Sequence, residues 1–98
     1  MEAKIYEGSK GIVLNVEISG IPDFTLIEYP KFLVLPPNSL DELEWPAEII
    51  VDESVLRCYI PNEYNLIPGI YKIQPYFTYV SFTGRWSTTS FTIYRKFD

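Results

Sequence analysis

Histidine is missing from all 98 residues of this chain, which removes the side chain most often used as a general acid or base near neutral pH, and every triad built on it. Cysteine occurs once, at Cys58, so no disulfide can close within the chain. A small secreted domain usually needs that staple, and a reducing compartment is expected instead. Cations are scarce as well: eight Lys and Arg against thirteen Asp and Glu leave a formal charge of −5. Such a surface repels phosphate backbones and anionic headgroups, so neither nucleic acid nor membrane is expected as a partner. No apolar run approaches the roughly 18 residues that would span a bilayer, and the opening Met1-Glu2-Ala3-Lys4 has no signal-peptide character. Synthesis in the cytoplasm is therefore expected. Asn-x-Ser/Thr is also lacking, since Asn38-Ser39-Leu40 and Asn62-Glu63-Tyr64 both miss the pattern.

What is present is a β-forming composition. Apolar residues make up 47% and aromatics 16%, far from the signature of disorder, and the length suits one domain, 1–98, of sandwich size. Alternation, not helical periodicity, organises the chain. Ala3 to Tyr6 reads as a short strand ended by Gly8-Ser9-Lys10-Gly11. Ile12 to Ser19 follows, with Leu14, Val16 and Ile18 on one face. Thr25 to Tyr29 and Lys31 to Leu35 are interrupted by Pro30, where a bulge or an edge position is expected. Pro36-Pro37-Asn38-Ser39 stops that segment, Leu40 to Trp45 reads as an acidic loop, and Ala47 to Asp52 and Val55 to Ile60 are strands around a turn at Glu53-Ser54. Pro61 to Leu66 has room for one helical turn, placing Tyr64 or Leu66 at the bottom of the core. The last 30 residues carry the strongest signal: runs rich in Tyr, Phe, Ile and Thr, from Ile70 to Phe82 and Arg85 to Tyr94, meet at Thr83-Gly84. Tyr71, Ile73, Phe77, Phe91 and Ile93 are expected inside. The sum is an all-β fold, an immunoglobulin-like antiparallel β-sandwich of about seven strands.

Few residues offer chemistry. Cys58 lies on the apolar face of its strand with Leu56 and Ile60, while Arg57 points the other way, so it is expected to be a core residue and not a nucleophile. Asp41, Glu42, Glu44, Glu48, Asp52 and Glu53 fall in one stretch free of Lys and Arg. They lack the ligand spacing and the glycine of a calcium loop, so no metal site and no cofactor is expected, and a solvated acidic edge is the simpler reading. Aromatics remain as candidates for recognition. Tyr76, Trp86 and Tyr94 are expected on the outward face of the last hairpin, where they would serve a protein contact or stack on a sugar. Two alternatives stay open beside protein contact: a carbohydrate-binding module using that face, and a calcium-dependent adhesive domain using the acids.

Several stretches, taken in order, resemble the small immunoglobulin-like domains of bacteriophage tail and baseplate proteins, including the N-terminal domain of baseplate upper proteins. They are the strand ending at Tyr6-Glu7-Gly8, the strand and turn from Lys31 to Ser39, Trp45-Pro46-Ala47 leading a strand, and Pro68-Gly69-Ile70-Tyr71 opening a long hairpin. The resemblance implies a non-enzymatic virion component or accessory protein, made in the host cytoplasm. It would act by assembling with other phage structural proteins or with itself.

Overall fold

A computed structural model describes residues 4–60 and 67–97; the helical turn expected over Pro61 to Leu66 lies outside the described residues. The β-branched and aromatic runs form nine strands there: β1 Ile5–Tyr6, β2 Val13–Glu17, β3 Ile27–Leu35, β4 Leu43–Pro46, β5 Glu48–Ile50, β6 Val55–Tyr59, β7 Gly69–Tyr79, β8 Phe82–Arg85 and β9 Thr89–Tyr94. They make two sheets. The larger is ordered β1-β9-β7-β3-β4, with β8 also paired to β7, and the smaller is β2-β6-β5. All neighbours are antiparallel except β1, which runs parallel to β9. The all-β expectation therefore holds, with two sheets enclosing one core.

That core lies where alternation puts it. Leu56 and Cys58 of the smaller sheet face Phe32, Val34, Tyr71, Ile73, Phe77 and Ile93 of the larger one, all at most 2% exposed. Tyr71 stacks on Phe91, centroids 4.9 Å apart, and its hydroxyl donates to the Ile67 carbonyl at 2.7 Å. A buried tyrosine needs such an acceptor for its polar tip. Gly69 begins β7 at a φ of +140°, and a Cβ there would come within 2.7 Å of the Pro37 ring. Glycine at this point is thus required both by backbone angle and by space.

One stretch expected as loop contains a strand, and its Trp45 is core. Leu43 and Trp45 alternate with Glu42 and Glu44 and complete a period-2 pattern. Residues 43–46 pair with β3, placing Trp45 opposite Phe32 at 0% exposure.

β7 governs the larger sheet, and both of its neighbours bulge against it. From Glu28 to Lys31, β3 advances three residues while β7 moves only from Thr78 to Tyr76. The extra residue falls beside Pro30, and Tyr29 takes a φ of 54°, as one member of a bulge often does. On the other edge, β7 advances from Ile73 to Tyr76 while its partner runs from Thr89 back to Arg85, again one residue more. The Trp86 amide donates to the Pro75 carbonyl at 2.8 Å. Since both polar groups of a strand residue point to the same side, the N–H that Pro75 lacks would have faced this interruption. A proline is tolerated in mid-sheet only at such a place.

The hairpin turn also differs from expectation. It lies at Val80-Ser81, with Tyr79 opposite Phe82, and Thr83 and Gly84 sit within β8. Gly84 faces Phe77, and a Cβ there would stand 3.2 Å from the Phe82 ring. Its glycine makes room for aromatic packing instead of making the turn. The cost falls on Val80, a β-branched residue held at a φ of 54°, where two-residue hairpin turns favour glycine. Replacing it tests this assignment: Val80→Gly is expected to raise stability by about 1 kcal/mol, roughly 4 to 8 °C in Tm for a domain of this size. An unchanged or lowered Tm would move the turn elsewhere.

Candidate recognition surface

The second bulge decides where the three candidate aromatics point. Along β8, Phe82 and Gly84 share the inner face with Tyr79 and Phe77, and Arg85 shares the outer face with Tyr76. Trp86 comes next and turns inward. Its ring lies 5.4 Å from Phe77 and 5.8 Å from Phe82, with its edge over Gly20. Expected at the centre of the outward face, Trp86 instead packs against the core. The reason is the extra residue between Arg85 and Thr89: counting back by twos from Phe91 and Ile93 gives the wrong face for every residue before the break.

Tyr76 and Tyr94 do take the outer face, but at opposite ends. Ile93, next to Tyr94, is opposite Gly69, and the strand from Gly69 to Tyr76 spans roughly 23 Å. Tyr94 meets the Tyr6 ring at 6.1 Å and the Lys4 ammonium at 4.8 Å. Tyr76 has the Lys31 ammonium 4.9 Å from its ring centre. The two do not join with Trp86 into one stacking platform.

Between them the outer face is a polar network. Lys31 reaches Glu44 at 2.8 Å. Arg85 grips both carboxylate oxygens of Glu42, and its Nη1 also donates to the Gln74 carbonyl oxygen at 2.8 Å. Gln74 in turn donates to Thr88 Oγ1 at 2.9 Å, bridging the interrupted strand. Arg85 holds the Glu42 carboxyl below the usual carboxylate range, chiefly by hydrogen bonding. Beneath this network Leu33 is only 7% exposed although it points outward. Sequence reasoning missed Arg85, Gln74 and Lys31, whose partners lie more than ten residues away; a period-2 reading that placed Arg85 beside Tyr76 would have suggested the first.

The acidic stretch is dispersed by folding. Glu42 and Glu44 pair with cations of the larger sheet, and Glu53 pairs with Arg57 at 2.8 Å on the smaller one. Among the described residues no three His, Cys, Asp or Glu are grouped to hold a metal ion. Cys58 is fully buried, and burial pushes its thiol up to about 11, leaving about one molecule in ten thousand as thiolate at pH 7.

A second surface has a different character. Leu26, Tyr29, Val80 and Phe82, from the turn before β3, the start of β3 and the β7-β8 hairpin, are 46, 79, 73 and 41% exposed. Cross-strand pairs Ile27 with Tyr79 and Glu28 with Thr78 bring these segments to one end of the larger sheet. Two of the four, Tyr29 and Val80, are among the five described non-glycine residues with positive φ, the others being Asn38, Ser54 and Phe97. No glycine or aromatic row marks this tip in the sequence. No protein family, curated protein or solved structure matches the chain.

Two outcomes follow. Trp86→Ala is expected to cost about 3 kcal/mol of stability and Tyr76→Ala less than about 1 kcal/mol, by denaturant unfolding; equal small losses would put Trp86 back on the surface. For Cys58, the folded thiol ionises above the unfolded one, so stability is intact below pH 9 and falls as pH rises toward about 11. Relative to Cys58→Ala, the wild type should lose about 2 to 3 kcal/mol across that window, and its thiol should resist modification until the chain unfolds. Parallel pH profiles for the two proteins would contradict this.

Proposed function

We propose that the chain is a non-catalytic, immunoglobulin-like assembly module, a structural or accessory component of a bacteriophage tail or baseplate that works through protein contacts. The strand order supports the sandwich reading. The β2-β6-β5 sheet matches strands B, E and D of an immunoglobulin domain, and β9-β7-β3 matches G, F and C, with β4 added at the edge as in variable-type domains. Tyr71, bonded to a carbonyl four residues upstream near the start of the strand equivalent to F, is similar to the tyrosine corner of that fold. The virion setting rests on the resemblance of the turns and strands described above.

The observation that carries the contact reading is the strained apolar tip. Tyr29 and Val80 keep left-handed backbone angles while most of their side-chain surface stays in water. Residues in such conformations cluster where a site uses them, since the isolated fold gains little burial in return. The tip combines Leu26, at the end of the segment between β2 and β3, and Tyr29, at the start of β3, with the β7-β8 turn, beside the B–C and F–G positions at which immunoglobulin-like modules carry binding loops. The chemistry on offer is contact area, with no histidine in the chain and its thiol buried.

Phage particles purified from the source organism provide the test. Mass spectrometry is expected to find the chain at a fixed, integral ratio to a tail protein, and a Tyr29→Ser, Val80→Ser double variant, folded with an undiminished Tm, should be lost from the particles. Finding the wild type only in the soluble lysate would overturn the virion reading, and particles that retain the double variant would overturn the tip as its contact surface.

A further inference from the structure

Every sheet that does not close has edges, and natural proteins shield them with short strands, charge, proline or a covering segment. Here β4 ends in Pro46 and carries Glu44, β5 has three residues, β1 has two, and β8 has four with a glycine among them. β2 is the exception. Among the described residues its five, Val13-Leu14-Asn15-Val16-Glu17, pair only with β6; they contain no proline, no lysine and no bulge in their register, and their one charge, Glu17, stands at the end of the strand.

The direction of its unused hydrogen-bonding groups can be read from the ends of the ladder. The Ile12 carbonyl accepts from Ile60 and the Ile18 amide donates to Ser54, so the even-numbered residues point their polar backbone groups at β6. Those of Val13, Asn15 and Glu17 therefore point outward, along the open flank of the sandwich. Beside that edge runs a groove of about 360 Å³, lined by Leu14 and Val16 on one wall and by Trp86, Ser87, Ser90 and Phe91 on the other. Leu14 and Val16 are only half-buried there.

We propose that the occupant of this edge is a second copy of the chain, joined β2 to β2, antiparallel about a two-fold axis through Asn15. This deepens the assembly reading above and rests on it. The register is self-complementary: Asn15 faces the partner's Asn15, and Val13 faces the partner's Glu17, each pair able to exchange two backbone hydrogen bonds. No like charges stand opposite one another. Glu17 and the partner's Glu17 are roughly 14 Å apart along the strands, beyond the screening length of about 8 Å at physiological salt. On the outer face, Arg57 donates from Nε to Asn15 Oδ1 at 2.7 Å, and Glu48 is in register with Arg57. Pairing extends that row across the axis with charges of alternating sign toward each end, and leaves the Asn15 amide N–H groups to donate to the partner's Asn15. On the groove side, the partner's Leu14 and Val16 come to rest beside Val16 and Leu14. Half-buried apolar surface is covered and the two three-stranded sheets become one of six strands.

Sedimentation of the full chain, with two variants, tests this. The wild type is expected to be a dimer. Asn15→Pro removes an outward N–H without touching a bond to β6, so it should be monomeric with its circular dichroism retained. Asn15→Cys places two sulfurs across the axis at a Cα separation of about 5.5 Å, within disulfide range, and should oxidise to a covalent dimer. A wild type that stays monomeric at about 1 mM would overturn the β2 pairing, as would an Asn15→Cys chain that dimerises without cross-linking. Either result leaves the assembly reading intact, since that reading fails separately, by absence of the chain from particles.

Discussion

The requirement that β7 keep a partner on both edges despite Pro75 shapes much of this molecule. Proline lacks the amide that a mid-sheet strand donates, and the chain accommodates it by breaking the neighbouring strand into β8 and β9 with one residue to spare. On the other edge β3 spends an extra residue at Tyr29. Because strand side chains alternate, each extra residue reverses the inside and outside of everything beyond it. The two bulges lie on opposite sides of the same short piece of β7, so Phe77, Tyr79, Phe82 and Trp86 gather inward at one end of the sheet. The polar network of Arg85, Gln74, Glu42 and Lys31 collects on the outside nearby.

The cost of this arrangement is local strain at the tip, where Tyr29 and Val80 hold angles that glycine or asparagine would adopt more easily. A hairpin turning at Thr83-Gly84 would have avoided the strain at Val80. It would also have shifted the register and removed Gly84 from beneath Phe82, separating the aromatics that now interlock. Packing between rings outweighs the preference of the turn, an ordinary result when about 1 kcal/mol of backbone cost opposes the burial of large side chains.

Much of the fold was legible because most segments obey one simple rule. β2, β6 and the first half of β7 alternate cleanly, and Leu14, Val16, Ile18, Leu56, Cys58, Ile60, Tyr71 and Ile73 lie where that alternation predicts. Pro30 announced its bulge. Trp45 was hidden by acids that alternate with it, and its strand became visible only once the partner β3 was known. The recognition surface was least legible. Trp86 changed sides through one inserted residue that no local pattern reveals, and Tyr76 and Tyr94, alike in sequence context, are separated by most of β7. The ion pairs of Glu42 and Glu44 depend on strands distant in sequence, and Val80 occupies a turn with no glycine, asparagine or proline.

Three outer surfaces differ in character: an apolar end with positive φ at Tyr29 and Val80, a β2 edge paired among the described residues only to β6, and a balanced polar sheet face between the paired tyrosines and Tyr76. The placing of the aromatics and of the polar face depends on the inversion at Trp86. The most direct check is a nuclear Overhauser spectrum of the folded chain, reading which protons lie near the Trp86 indole. Cross-peaks to the Phe77 and Phe82 rings and to the Gly20 α-protons are predicted. Cross-peaks to Tyr76, Thr83 or Thr78, with none to Phe77, would place the indole on the outer face and contradict the bulge on which this account rests.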